Sequence, residues 1–291
     1  MKILAAIDGS EAAFNALRAA CGLALRLSAS VTAMYVNKGD EYTADETGTL
    51  SLKEKIMDEL EARGQTVLRE SLAIGRTFDV DIEGVLSYGI PADEILSYTE
   101  AHGIIKLIVM AHSSMGRGTQ EFVESPTRAV VGRSKVPVFV TSAPITIERV
   151  LIAVDNSEAA KRVAQFGGGL ARSLGAELGI IAFVPDAEAL IDEYRLIADV
   201  PNIERHIEAS ERDLKKILDQ SVAKARQVLG SLCVEASLVL RKGHADELMR
   251  DARPQDALVF GLKTNASGFA RLSGSPSRLL SSHAMNVFFV Q

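Results

Sequence analysis

The chain of 291 residues contains one sequence pattern twice, with the copies 147 residues apart at their starts. Lys2–Ala13 returns as Arg149–Ala160, and in both segments an apolar run leads into Asp, one further residue, and Ser-Glu-Ala-Ala. Ser125-Pro126 likewise returns as Ser275-Pro276 near the end of each copy. Repeats of 20–50 residues are typical of solenoids, whereas a period this long indicates a duplicated domain. We therefore predict two copies of one domain.

Each copy alternates short apolar runs with stretches of helical periodicity. A short polar stretch around Pro144 separates the copies, which gives predicted domains of residues 1–143 and 147–291. The predicted strands are 3–7, 31–36, 81–86, 107–111, 136–141, 150–154, 178–184, 237–240, 257–261 and 287–290, and the predicted helices include 10–27, 52–75, 91–102, 125–133 and 202–229. This alternation predicts an α/β fold with two tandem doubly wound domains, each a five-stranded parallel sheet with helices on both faces.

Composition excludes several classes of protein. With 47% hydrophobic and 24% charged residues, the chain is typical of a globular protein rather than a disordered one. No run approaches the roughly 18 apolar residues of a membrane span, and Asp8 comes too early for a secretory signal, so we expect a cytoplasmic protein without a membrane partner. The net charge of −6 and the lack of a basic run argue against a nucleic acid partner. Two cysteines and five widely spaced histidines predict neither a disulfide framework nor a metal site.

The carboxyl ends of the first strands carry the first candidate site residues. In this class of sheet, ligands bind beyond the carboxyl ends of the strands. Asp8 and Asp155 stand there, and Ser10 and Ser157 two residues later are suited to cap the following helices. Each carboxylate requires a partner beside an apolar sheet end, and either an amide or hydroxyl of the turn or a ribose hydroxyl of a ligand would serve.

A segment rich in small residues follows the fourth strand of the second copy, from Gly261 through Gly274 to Ser275-Pro276. Glycines let backbone amides approach an anion closely, and Ser-Pro is typical of the start of a helix, whose free N–H groups attract anions. A surface loop without a ligand would have the same composition. The spacing matches neither the Walker A motif nor Gly-x-Gly-x-x-Gly.

These motifs together resemble the universal stress proteins (UspA-like family) in their tandem two-domain form. The resemblance covers nearly the whole chain. Members of that family end the first strand in Asp-x-Ser, and those that bind ATP carry Gly-x2-Gly-x9-Gly-(Ser/Thr) after the fourth strand. The same spacing occurs here as Gly261-x2-Thr264-x9-Gly274-Ser275 and as Ala111-x2-Ser114-x9-Glu124-Ser125.

The resemblance implies a site in which the first-strand Asp meets the ribose, the end of the second strand lines adenine, and the glycine loop with its Ser holds the phosphates. In the second copy the implied nucleotide-binding residues are Asp155, Val184, Gly261, Thr264, Gly274 and Ser275. The matching residues of the first copy are Asp8, Val36, Ala111, Ser114 and Ser125. Because none of the three motif glycines remains in that loop and Glu124 would repel a phosphate, we predict that this first site is vestigial.

The function that the resemblance implies is an adenine-nucleotide-binding regulatory protein of the stress response, with ATP or AMP as cofactor, with or without Mg²⁺. No catalytic residues are recognisable, so we predict no enzyme, and slow ATP hydrolysis is left open. The alternative is a nucleotide-free scaffold that acts through unidentified protein partners. The resemblance also suggests that the fifth strands of the two copies pair as an internal pseudo-dimer, and a further homodimer is left open.

Two features are predicted to serve packing rather than binding. Gly167-Gly168-Gly169 interrupts a predicted helix, where each glycine costs roughly 1 kcal/mol relative to alanine, so close approach of a neighbouring element is the expected reason. Cys21 lies among small apolar residues and is expected in the core rather than at a reactive site.

Overall fold

A computed structural model describes residues 1–38, 50–112, 125–143, 146–154, 159–184, 203–242, 253–262, 280 and 286–291. The elements from the first half of the chain are β1 (Lys2–Ile7), α1 (Glu11–Leu27), β2 (Ser30–Asn37), α2 (Leu50–Thr77), β3 (Ile82–Tyr88), α3 (Pro91–Ala101), β4 (Ile105–Met110), α4 (Pro126–Arg133) and β5 (Val138–Val140). Those from the second half are β6 (Arg149–Val154), α5 (Ala159–Leu174), β7 (Glu177–Val184), α6 (Ile203–Ser231), β8 (Ser237–Lys242), β9 (Asp256–Gly261) and β10 (Asn286–Val290). The predicted α/β fold is confirmed.

The ten strands of the described residues form one continuous sheet in the order β3-β2-β1-β4-β5-β10-β9-β6-β7-β8. Within each half the strands run parallel, and β1 and β6 each lie between two later strands, as in a doubly wound sheet. The halves join where β5 and β10 pair antiparallel, with Phe139 opposite Phe288. The predicted pairing of the fifth strands is confirmed, and it removes two apolar edges that isolated halves would expose.

Helices cover both faces of this sheet. On one face, α1, α2, α5 and α6 pack over the strands in a single apolar cluster that includes Leu17, Val67, Val163 and Ala225. On the other face, α3, α4 and Leu280 pack over a second cluster. Strands buried on both faces explain why the apolar runs in the sequence are continuous rather than alternating.

The seam between the halves, formed by β5 and β10, is packed with aromatic rings. Phe139 and Phe288 are fully buried and stack with centroids 4.1 Å apart and an angle of 11° between the planes. Phe166 of α5 packs at an angle against Phe288, with centroids 5.5 Å apart. At the end of the seam, the buried Thr141 hydroxyl donates to Asn286 Oδ1 at 2.7 Å.

The glycines of α5 allow close approach at two of the three positions. A Cβ added at Gly167 would lie 2.2 Å from Ile152 Cγ2 on the sheet, and one added at Gly168 would lie 2.5 Å from Leu229 Cδ2 on α6. At Gly169 a Cβ would meet no atom of the described residues within 4 Å. The packing prediction is therefore confirmed for the first two glycines and wrong for Gly169 as far as the described residues go, since none of them packs against it.

This difference predicts opposite effects of one substitution. Gly167→Ala should lower the free energy of unfolding by about 1–2 kcal/mol, because overpacking against Ile152 outweighs the gain in helix propensity. Gly169→Ala should raise it by up to about 1 kcal/mol, since only the helix propensity changes. Urea denaturation of both variants checks the prediction, and equal effects at the two positions would contradict it.

The two cysteines lie in different environments. Cys21 is fully buried in α1, and burial raises the pKa of its thiol to about 11. Cys233 is exposed, after the end of α6, in a left-handed backbone conformation with φ +55°. The prediction that Cys21 belongs to the core is confirmed.

Candidate functional site

The turn from β1 into α1 holds Asp8 through a local hydrogen bond. The amide of Ser10 donates to Asp8 Oδ1 at 2.9 Å, and the amide of Ala13 donates to Ser10 Oγ at 3.2 Å. The capping prediction for Ser10 is confirmed. Asp8 therefore uses one carboxylate oxygen within the turn, in line with one of the two interpretations of the sequence, and its second oxygen accepts no hydrogen bond from the described residues.

Glycine at position 9 allows the backbone conformation and the close packing that this turn requires. Its φ of +83° lies in the left-handed region, and a Cβ there would approach Val67 Cγ2 of α2 to 2.9 Å. The matching residue in the second copy is Asn156, and asparagine tolerates positive φ better than most side chains. Asn156 lies outside the described residues.

A crevice of about 570 Å³ opens beside this turn, at the carboxyl ends of β1, β2 and β4. Such a volume is within the usual range for small-molecule sites. Three predicted residues of the first site, Asp8, Val36 and Ala111, line it together. Its other lining residues, which sequence reasoning did not assign to a site, include Tyr35, Asn37, Lys38, Arg63, Pro91, Ile95, His112, Pro126 and Thr127.

Two buried polar side chains in the crevice wall escaped the sequence analysis. Asn37 ends β2 with 1% of its surface exposed; its amide nitrogen donates to the Leu60 carbonyl at 3.0 Å, while its buried Oδ1 has no partner in the described part of the chain. His112 follows β4, also buried, with ring Nδ1 3.3 Å from the carbonyl oxygen of Leu280. A polar residue directly after a buried strand was the available signal in both cases. Through His112 the wall of this crevice contacts the second half of the chain.

The start of α4, where the resemblance implies a phosphate, is described from Ser125 onward. Ser125 precedes the helix, but its hydroxyl makes no capping bond and is buried without a partner from the described residues. Pro126 occupies the first turn of α4 and lacks an N–H. Thr127 is 7% exposed and its hydroxyl donates to the Ala111 carbonyl at 3.0 Å. Ser114 lies outside the described residues.

The implied second-half site is described only in part. Val184 is the last residue of β7, and Gly261 the last of β9, so both stand at carboxyl ends as predicted. The other four residues, Asp155, Thr264, Gly274 and Ser275, lie outside the described residues. Gly261 is among the described residues that border a cavity of only about 20 Å³.

Packing accounts for the glycine at position 261. A Cβ there would lie 2.7 Å from Ala159 Cβ and 2.8 Å from Val163 Cγ2, both on α5, and its φ is not in the left-handed region. In the first copy Ala111 stands at the position of Gly261, and Ala16 stands at the position of Val163. The larger residue on the strand is therefore accompanied by a smaller residue on the helix. Close contact with α5 therefore explains Gly261 without a phosphate.

Within the described ranges, no three His, Cys, Asp or Glu side chains are grouped so as to hold a metal ion. Nor does that part of the chain contain a helix with the length and apolar character to cross a membrane.

The fold and the site together define the class of this protein. It is a tandem, doubly wound α/β protein with a crevice at the carboxyl ends of its strands. The profile of the universal stress protein family matches residues 1–142 and again residues 146–285. The chain therefore belongs to the universal stress protein family and carries two of its domains in tandem. The boundaries 1–143 and 147–291 stay predictions.

Individual relatives agree with this assignment. The chain is 28% identical over 144 residues to universal stress protein YxiE of Bacillus subtilis (strain 168), which covers 48% of this chain and 97% of that protein. A universal stress protein structure from Archaeoglobus fulgidus DSM 4304 superposes over 100% of this chain and 98% of its own, with TM-score 0.67 and 18% identity. A Pseudomonas aeruginosa UCBPP-PA14 structure covers 99% and 92%, with TM-score 0.56 and 16% identity. These structures share the fold of the full tandem chain.

Proposed function

We propose that this protein is an adenine-nucleotide-binding regulatory protein of the stress response, with ATP or AMP as its ligand, with or without Mg²⁺. The observation that carries the proposal is the crevice of about 570 Å³ beside Asp8, because the second half repeats this strand order and a corresponding crevice there would hold the nucleotide. A ligand-sized space thus lies, in this chain, at the place where doubly wound sheets bind nucleotides.

Within this proposal, the nucleotide site with its phosphates belongs to the second half. The strands of that half follow the same order as those of the first, which supports a corresponding crevice there. Its sequence keeps Asp155 for the ribose and Gly274-Ser275 for the phosphates, while the first half has Ala111, Ser114 and Glu124 at the three motif glycine positions. The proposed site consists of Asp155, Val184, Gly261, Thr264, Gly274 and Ser275, of which Gly261 acts through packing.

Titration of the full chain with ATP and AMP tests the proposal. Asp155→Asn removes one carboxylate oxygen with little change of shape, so it should weaken nucleotide binding about tenfold or more. The matched variant Asp8→Asn should leave the ATP affinity unchanged. Isothermal titration calorimetry on both variants and the parent gives the comparison, and equal losses from the two substitutions would refute the proposed asymmetry.

The alternative function, a nucleotide-free scaffold for protein partners, is tested with the same protein. Mass spectrometry of small molecules released from freshly purified, denatured chain should detect adenine nucleotide if the proposal holds. Absence of released nucleotide together with no heat of binding for ATP or AMP would favour the scaffold. A cytoplasmic location and a further homodimer also stay proposals.

A further inference from the structure

One end of the seam between β5 and β10 carries a buried polar pair, Thr141 and Asn286. Thr141 directly follows β5, Asn286 begins β10, and the Thr141 hydroxyl donates to Asn286 Oδ1 at 2.7 Å. The Asn286 amide nitrogen donates both of its hydrogens, to the carbonyl oxygens of Pro254 at 3.1 Å and Asp256 at 3.2 Å. These bonds fix the orientation of the amide, so that its oxygen faces β5.

The other end of the seam is apolar. Phe139 stands opposite Phe288 at the centre, and the same antiparallel register, two residues further on, places Pro137 opposite Val290. Side chains alternate between the two faces of a strand, so these two residues lie on the same face of the sheet as the polar pair. Neither side chain donates or accepts a hydrogen bond. The two ends of the seam therefore differ, although the halves are copies of one domain.

Two chains could instead pair like with like, β5 with β5 and β10 with β10, around the same central phenylalanines. Such a dimer contains two seams, as two separate chains do. Residues 138–140 and 287–289 would then form the same number of facing Phe–Phe, Phe–Val and Val–Val pairs as in the observed seams. Apolar packing alone therefore discriminates poorly between unlike and like halves.

The polar pair does discriminate between them. In like pairing, the register places Asn286 opposite Val290 of the second copy, so the buried Oδ1 loses its donor. Thr141 would face Pro137 of the second copy, but its hydroxyl could turn to the Ala143 carbonyl at 3.1 Å. The loss thus falls on Asn286, and a buried acceptor without a partner is costly. Each dimer of like-paired halves would contain two such acceptors.

We propose that the polar pair determines which partner β10 accepts: it favours the fifth strand of the unlike half over the fifth strand of a second copy of the same half. This role does not depend on nucleotide binding by either half. The halves are also joined through residues 141–148, which favours pairing within one chain. Selection by the polar pair matters most when the chain is concentrated enough for a second copy to compete.

Moving the hydroxyl from β5 to β10 tests this role. In Thr141→Val/Val290→Thr, unlike pairing leaves Asn286 without its donor, whereas pairing of β10 with β10 gives each Asn286 a threonine of the second copy. The full-length variant and the parent are unfolded in urea and refolded at about 0.5 mM, close to the effective concentration that a short linker supplies. Size-exclusion chromatography with light scattering should give the variant about twice the mass of the parent or more.

The matched control is Thr141→Val/Val287→Thr, which has the same composition. Residue 287 faces the other side of the sheet and packs with Phe289, so a hydroxyl there does not reach Asn286. The control should keep the mass of the parent, and circular dichroism shows whether each variant folds. A Thr141→Val/Val290→Thr protein with the mass of the parent, or an equal rise in the mass of the control, overturns the inference.

A disulfide reporter decides the question if Thr141→Val/Val290→Thr fails to fold. Pro137→Cys/Val290→Cys, combined with Cys233→Ser, brings two thiols opposite each other in unlike pairing only. After oxidative refolding at the same concentration, peptide mapping should find the 137–290 disulfide in most chains. Adding Asn286→Leu should lower that fraction about twofold or more, because the pairing is no longer selected. An unchanged disulfide fraction overturns the inference.

Discussion

Replacing Phe288 with serine is expected to lower the free energy of unfolding by about 4 kcal/mol. Phe288 is fully buried at the centre of the seam, where it stacks on Phe139 and contacts Phe166. Serine removes the ring, leaves a cavity between β5 and β10, and buries a hydroxyl without a partner. The melting temperature should fall by about 10 °C for a chain of this size.

A matched variant separates the loss of stability caused by lost packing from any effect of replacing Phe288 as such. Phe288→Leu keeps an apolar side chain of roughly similar volume and should cost about 1 kcal/mol. Differential scanning calorimetry and guanidinium denaturation on the full chain compare the two variants. A Phe288→Ser protein that melts within about 2 °C of the parent would show that the halves do not depend on this seam.

Loss of the Asp256 carboxylate is expected to cost about 3 kcal/mol. Asp256 begins β9 with 1% of its side chain exposed, and it accepts from Arg149 Nε at 2.9 Å and Arg149 Nη2 at 2.5 Å. The Arg253 amide donates to the same carboxylate at 2.9 Å. This hydrogen bonding raises the pKa of Arg149. Asp256→Ala would leave a largely buried guanidinium and an amide unpaired, which is costlier than losing an exposed ion pair.

The ion pair between Arg133 and Asp93 provides the control, because its side chains are 42% and 45% exposed. Asp93→Ala should therefore change the free energy of unfolding by less than about 1 kcal/mol. A double variant, Arg149→Met with Asp256→Leu, should recover most of the stability lost in Asp256→Ala, since no buried charge is left unpaired. Equal losses in Asp256→Ala and Asp93→Ala would contradict the argument.

Much of the fold was predictable because its determinants are local. Continuous apolar runs such as the one in β4 predict a strand covered on both faces, and Ser10 before an amphipathic stretch predicts a capped helix. The order of the repeat predicted the duplication. Most element ends differ from the prediction by only a residue or two, and Asn37 belongs to β2 because it pairs with Tyr88 of β3, a contact that the sequence does not reveal.

The residues of the candidate site that stand at strand ends were predictable from the sequence. The residues that helices contribute to the crevice wall were not. Asp8, Val36 and Ala111 line one crevice as the motif implied, because carboxyl ends of parallel strands meet at one edge of the sheet. Arg63 and Pro91 come from helices far along the chain, so no local pattern connects them with Asp8. For Gly261, the sequence suggested a phosphate loop, whereas contact with Val163 supplies the physical reason.

By itself, then, the sequence determined the duplicated α/β domain, its family motifs and the strand ends at which a ligand would bind, since these depend on periodicity and on neighbours in the chain. The tertiary structure confirmed the pairing of the fifth strands, and only it decided that β5 and β10 run antiparallel with Phe139 opposite Phe288, and that side chains of α2 and α3 line a crevice beside Asp8. Those features depend on which distant side chains occupy the same space, and packing between elements determines that.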